Sequence, residues 1–164
     1  MRIGFDAKRA YKNFTGLGNY SRFILKSLSH NFPNNDYLLF TPENRKETAE
    51  ISHACHNQNQ KTITPHQLWK LPCISGIWRS VFQGVNHGER ELDIFHGLSN
   101  EIPLLKNKST KYVVTVHDLL FCRYPELFNP IDVQIYRMKM ARSCWAANQV
   151  FFSLLTHSNY LICS

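Results

Sequence analysis

Three short stretches hold the side chains and backbone groups able to do chemistry. The first is Thr15-Gly16-Leu17-Gly18-Asn19-Tyr20, which opens a helical pattern. Its free N–H groups and the positive end of the helix dipole form a natural seat for phosphate, and glycine lets a ligand come close to the backbone. Asp6, Lys8, Arg9 and Lys12 precede it. The second stretch is His96-Gly97-Leu98-Ser99-Asn100 and the third is His117-Asp118, each closing an apolar run. An imidazole held at such a place can accept a hydroxyl hydrogen or move a proton. Each stretch also has a plainer reading, as a glycine turn, a satisfied polar strand end or a solvated basic loop.

Several common chemistries do not fit. A dinucleotide fingerprint would need glycine where Ser21 stands, and the glycines lie about ten residues past the first strand instead of at its end. No glycine is followed by Lys-Ser or Lys-Thr, so there is no P-loop, and no Asp-x-Asp is present for a metal-held sugar nucleotide. His53, Cys55 and His56 invite zinc, but a four-ligand structural set cannot be assembled around them. No metal site is expected.

The elements that must position these groups follow from pattern. Arg2-Ile3-Gly4-Phe5-Asp6 reads as a buried strand, Ala7 to Phe14 as a basic loop, and Gly16 onward as a helix whose inner face carries Tyr20, Phe23, Ile24 and Leu28. Asp36 to Phe40 is a second strand, and Lys61 to Thr64 a brief third. Glu43 to Gln60 is polar, with one short helix expected. Leu68 to Val85 is aromatic-rich, with a helix expected from Gly76 to Gln83 and Trp69, Trp78 and Phe82 as core or cleft wall. Leu92 to His96 and Lys111 to Val116 are apolar strands, the second strongly β-branched. Asn129-Pro130, with Asp132 in the first turn, starts a helix to Ala147 whose inner face is Ile131, Ile135, Met138 and Trp145. Val150 to Leu155 is a last strand. Alternating strands and helices predict an α/β, Rossmann-like, mostly parallel sheet of about six strands with helices on both faces. Ligands then sit beyond the carboxyl ends of the strands, so Gly16, Gly18, His96 and His117 should share one rim.

Composition bounds the partners. A chain of 164 residues, 43% hydrophobic, can bury one core. A net charge of +7 suits anionic partners, but the basic residues are scattered and no nucleic-acid module is present, so no nucleic-acid partner is expected. Five dispersed cysteines without a CxxC, no signal-like start and no membrane-length apolar tract lead to the expectation of a cytoplasmic protein with reduced thiols.

Together the segments resemble a known family. Arg2 to Asp6 with Thr15 to Arg22 looks like the opening of a GT-B glycosyltransferase of family 4. Asp93 to Pro103 is similar to that family's fourth-strand segment, and Thr115-Val116-His117-Asp118-Leu119 with Arg123 to Phe128 to its fifth strand and loop. The resemblance divides the chain into a Rossmann-like N-terminal domain, residues 1–150, and an atypical tail, 151–164. It implies a retaining transferase moving sugar from a nucleotide-sugar to an acceptor hydroxyl of a cell-surface glycan, without an essential metal or cofactor. In such an enzyme this half holds the acceptor and a second domain holds the nucleotide. Carried over, Gly16, Leu17, Gly18 and Asn19 approach the donor diphosphate and His117 lies at the reacting centre. Lys8, Arg9, His96, Asn100 and Asp118 meet a glycan or lipid-linked acceptor. Peripheral contact with an anionic inner membrane face fits the same picture. The sequence departs from the family after Val150: the donor domain is missing and the ending looks truncated, which implies inactivity alone. The alternative is a non-catalytic remnant or a small Rossmann-like binding module.

Overall fold

A computed structural model describes residues 1–41, 59–64 and 91–153. The readings made above for residues 43–58, for Leu68 to Val85, for the His53-Cys55-His56 group and for Leu154-Leu155 lie outside these residues. The described elements are β1 (Arg2–Asp6), α1 (Lys8–Lys12), α2 (Gly16–Asn31), β2 (Asp36–Phe40), β3 (Gln60–Ile63), β4 (Ile94–Gly97), β5 (Lys111–Val116), α3 (Leu120–Arg123), a 3-10 turn (Pro125–Leu127), α4 (Pro130–Ala146) and β6 (Gln149–Phe152).

The six strands form one sheet in the order β3-β2-β1-β4-β5-β6. Every neighbouring pair is parallel. This is the expected Rossmann-like α/β sheet. Alternation along the strands divides the core into two layers. Phe5, Tyr37 and Leu39 face α2, while Leu38, Phe40, Phe95, Tyr112 and Val114 face the side closed by Ala146 at the end of α4. The strand order reverses between β1 and β4, so a crevice opens there at the carboxyl ends of the strands.

Local corrections have local causes. The basic segment after β1 is a loop only in part, because Lys8 to Lys12 winds into α1, with Ala10 and Tyr11 buried. Two contacts hold that turn: Tyr11 bonds Thr62 on β3 at 2.8 Å, and the Arg22 guanidinium donates to the carbonyls of Ala10 and Asn13. Tyr20, Ile24 and Leu28 pack inward as expected, but Phe23 is 66% exposed and Leu25 takes the central place. The buried residues of α2 are Gly18, Ser21, Leu25 and Ser29, with Leu25 packed among Phe5, Tyr37 and Leu39 of the sheet.

The start of α4 matches its reading: Asn129 caps it, accepting from the Ile131 N–H at 2.9 Å. Its inner face does not. Ile131, Ile135, Met138 and Trp145 all point out, and Val133 and Ser143 are buried in their stead. The cause is the loop after β4, which takes hold of the helix by polar contacts. Ile102 N–H donates to Ser143 Oγ at 3.2 Å and Arg142 donates to the Pro103 carbonyl at 2.8 Å.

Candidate functional site

Three strand ends build the rim. β1 ends in Asp6, which is buried and accepts from the Lys8 N–H at 3.3 Å, so the chain turns at once into α1. β4 ends in His96-Gly97. A Cβ on Gly97 would stand 2.0 Å from the Glu101 carbonyl, so glycine is what lets the following loop fold back over the strand end. At Asn100 that loop takes a left-handed conformation, φ 62°. Asn100 then ties the loop to β5 twice, its N–H donating to the Thr115 carbonyl and its Oδ1 accepting from the His117 N–H, each at 3.0 Å.

His117 follows β5. Its Nε2 lies 2.6 Å from the Leu98 carbonyl. A carbonyl only accepts, so in the neutral ring Nε2 carries the proton and Nδ1 keeps its lone pair. The ring meets Tyr20 edge to face, with centroids 4.7 Å apart. The Tyr20 hydroxyl is 3.4 Å from Thr115 Oγ1, which is itself 2.8 Å from His96 Nε2. One connected polar cluster therefore links α2, β4 and β5 at a single end of the sheet. Thr115 is its most buried member, and His96 packs beside Phe5 at 5.7 Å between ring centroids. Burial, with the nearby His117 adding to it, pushes the His96 pKa from 6.5 down to about 4. The ring is neutral at physiological pH.

The two glycines of the helix opening play different parts. Gly18 is buried, and a Cβ there would sit 1.6 Å from the Asn13 carbonyl oxygen, so its bareness serves the packing of α2 on α1. Gly16 has open space around it, with nothing within 4 Å of an added Cβ. Thr15 occupies the cap position, but its side chain makes no cap bond to the helix. Its hydroxyl and N–H instead donate to Asn13 Oδ1. Asn19 Oδ1 is engaged by Arg22 at 2.6 Å.

The expected site residues therefore separate into groups. His96, Asn100 and His117 come together at one rim, and Gly16 and Leu17 open the helix whose Tyr20 reaches them. Lys8 and Arg9 reach the same end of the sheet on α1, Arg9 with its side chain exposed. Asp118 is exposed beside His117 and accepts from the Leu120 N–H at 3.3 Å. Thr115 and Tyr20 are site members that the sequence reading does not supply. The signal for Thr115 is its place two residues before His117, which puts both on one face of β5.

Among the described residues no helix is long and apolar enough to cross a membrane. Comparisons with protein-family models, with curated proteins and with solved structures return no match for this chain.

Proposed function

We propose that the chain is the acceptor-side half of a retaining, metal-independent glycosyltransferase of the GT-B type, resembling family 4. In this reading it acts with a donor-binding half to move a sugar from a nucleotide-sugar to a hydroxyl of a glycan or lipid-linked acceptor. The observation that carries the reading is the rim itself. The open Gly16 turn starts the same helix whose Tyr20 ring packs edge to face on the fixed imidazole of His117. A transferase of this class needs N–H groups where a leaving diphosphate gains charge, and a hydrogen-bond acceptor beside the transferred sugar. Gly16 and Leu17 offer the first, and Nδ1 of His117 the second.

The physical roles divide accordingly. Asn100, the Leu98 carbonyl and Tyr20 hold His117 in one orientation before any ligand arrives, so no reorganisation is needed during reaction. Lys8 and Arg9 stand at the same end of the sheet, where cations suit an anionic acceptor headgroup. The chain by itself contributes one wall of a cleft, and its own affinity for nucleotide-sugar is expected to be weak. A small Rossmann-like binding module without transfer activity is the second reading, favoured by the same preorganised pocket edge.

The test is transfer of radiolabelled sugar by the chain fused to a donor-binding half. His117→Ala should lower turnover by about 10²–10³-fold with the fold intact. Equal transfer by the folded variant removes His117 from the reaction. Binding without transfer in every fusion favours the second reading.

A further inference from the structure

The loop after β4 carries two groups that fix His117, the Leu98 carbonyl and the Asn100 side chain. It folds back on itself, so that the Glu101 carbonyl occupies the place a Gly97 Cβ would take, and Asn100 between them is left-handed at φ 62°. A conformation of that kind costs an L-residue free energy and persists only where the surrounding structure imposes it. On the near side of Asn100 the sheet imposes it: His96 and Gly97 end β4, and Leu98 is buried in the core that contains Phe5. On the far side the constraint comes from α4.

Lys139, Arg142 and Ser143 take hold of the loop there, spaced so that all three stand on one side of the helix. Ser143 is 1% exposed and accepts from the Ile102 N–H at 3.2 Å. Arg142 donates to two consecutive carbonyls, Ile102 at 3.4 Å and Pro103 at 2.8 Å. Lys139 meets Glu101 at 3.1 Å, but with side chains 46% and 28% exposed that pair adds little. Arg142 is thus the one of the three that grips the backbone twice. A planar guanidinium can span adjacent carbonyls, whereas an ammonium is a single point of attachment.

We propose that Arg142 is a positioning residue for His117: by clamping Ile102 and Pro103 onto α4 it keeps Asn100 left-handed and the imidazole in its place. The path is short. It runs from the guanidinium to the Ile102 carbonyl, back two residues to Asn100, and from Asn100 Oδ1 to the His117 N–H at 3.0 Å. Ser143 supports the clamp through the Ile102 N–H. A helix that touches neither His117 nor its ring partner Tyr20 by these bonds thereby sets where the ring stands. That the ring is held this way is independent of what the rim binds; its consequence for sugar transfer rests on the function proposed above.

Amide hydrogen exchange and imidazole nitrogen shifts of the 164-residue chain test it. Arg142→Met keeps the aliphatic stem and removes the donors. The His117 amide, whose acceptor is Asn100, should then exchange at least about tenfold faster, and the ring should lose its single Nε2–H tautomer. Arg142→Lys should recover part of the protection. Val133→Ala, at a buried apolar residue of α4 that makes none of these bonds, should leave the His117 amide within about twofold of wild type. Slow amides of β1 and β2 report the fold in each variant; should Arg142→Met unfold, Arg142→Lys is read alone, with an intermediate loss expected. Unchanged His117 protection in the folded Arg142 variants, or an equal loss in the Val133 variant, would overturn the proposal. In the fusion with a donor-binding half, Arg142→Met should lower kcat about fivefold with KM within about twofold, and should add no loss to His117→Ala. A further loss on top of His117→Ala would show that Arg142 acts by another route and overturn the proposal. A wild-type fusion that transfers no sugar defeats the proposed function instead, and the exchange result alone then decides the positioning.

Discussion

Acidification should weaken this fold through one ring. His96 sits between Phe5 and Phe151, with ring centroids at 5.7 and 6.2 Å, and its Nε2 is fixed 2.8 Å from Thr115. Its pKa falls from 6.5 to about 4 on folding because burial penalises the charged ring. Between those values the unfolded chain holds a proton that the folded chain excludes. The stabilising contribution is therefore complete above about pH 6.5 and is lost as pH falls toward 4. The difference between those two values corresponds to about 3 kcal/mol at full development, and about 2.5 kcal/mol of it should be gone by about pH 4.5. The chain has 8 histidines, so the effect is read as a difference between variants. Urea unfolding of wild type and His96→Gln is followed at about pH 7.5 and about pH 4.5. The amide keeps a partner for Thr115 but does not titrate in this range. Wild type should lose about 2–3 kcal/mol more than the variant on acidification. Parallel losses, or a His96 ring that titrates near its ordinary value by NMR, would refute the reasoning.

Two further substitutions separate packing from ligand access. Gly18→Ala forces a Cβ onto the Asn13 carbonyl and should cost about 2 kcal/mol or more in urea unfolding, because the contact is backbone and cannot swing away. Gly16→Ala meets open space at the first turn of a helix, and its stability should be unchanged or up to about 1 kcal/mol higher. Asn100→Ala loses both a residue tolerant of φ 62° and the acceptor for the His117 N–H. It should cost about 1–3 kcal/mol, while Asn100→Gly should recover the backbone part only. In both Asn100 variants the His117 ring should exchange between environments by NMR.

What the sequence made legible is what local signals decide. β5 was readable to the residue, because after Lys111 the run Tyr112-Val113-Val114-Thr115-Val116 is aromatic and β-branched throughout. The Asn129-Pro130 cap marked the start of α4 for the same reason. The inner face of α4 was not readable. Its apolar residues run all round the helix, with Val133 and Met140 opposite Ile131 and Met138, so periodicity alone could not choose between two stripes. The choice was made by Ser143 and Arg142 meeting a loop that comes from elsewhere in the chain. The same limit applies at the rim. His96 and His117 could be named from their places at strand ends. Their link through Thr115 and Tyr20 depends on the register of β4 against β5, in which His96 stands beside Val113, and on where α2 lies. Pairing and register are long-range facts. Gly18 was readable as a glycine of a helix opening, but its use against Asn13 required knowing that the preceding loop coils into α1.

The central claim is that the rim joining Gly16, Tyr20, Asn100 and His117 is where a ligand sits. Amide and imidazole chemical shifts of the labelled 164-residue chain test it most directly, measured during titration with a panel of nucleoside-diphosphate sugars and simple acceptor sugars. The account predicts weak binding, with shifts concentrated at Gly16, Leu17, Leu98 to Asn100 and the His117 ring, and with the response lost in His117→Ala. Shifts confined to other surfaces, or a spectrum unchanged by every sugar in the panel, would contradict it.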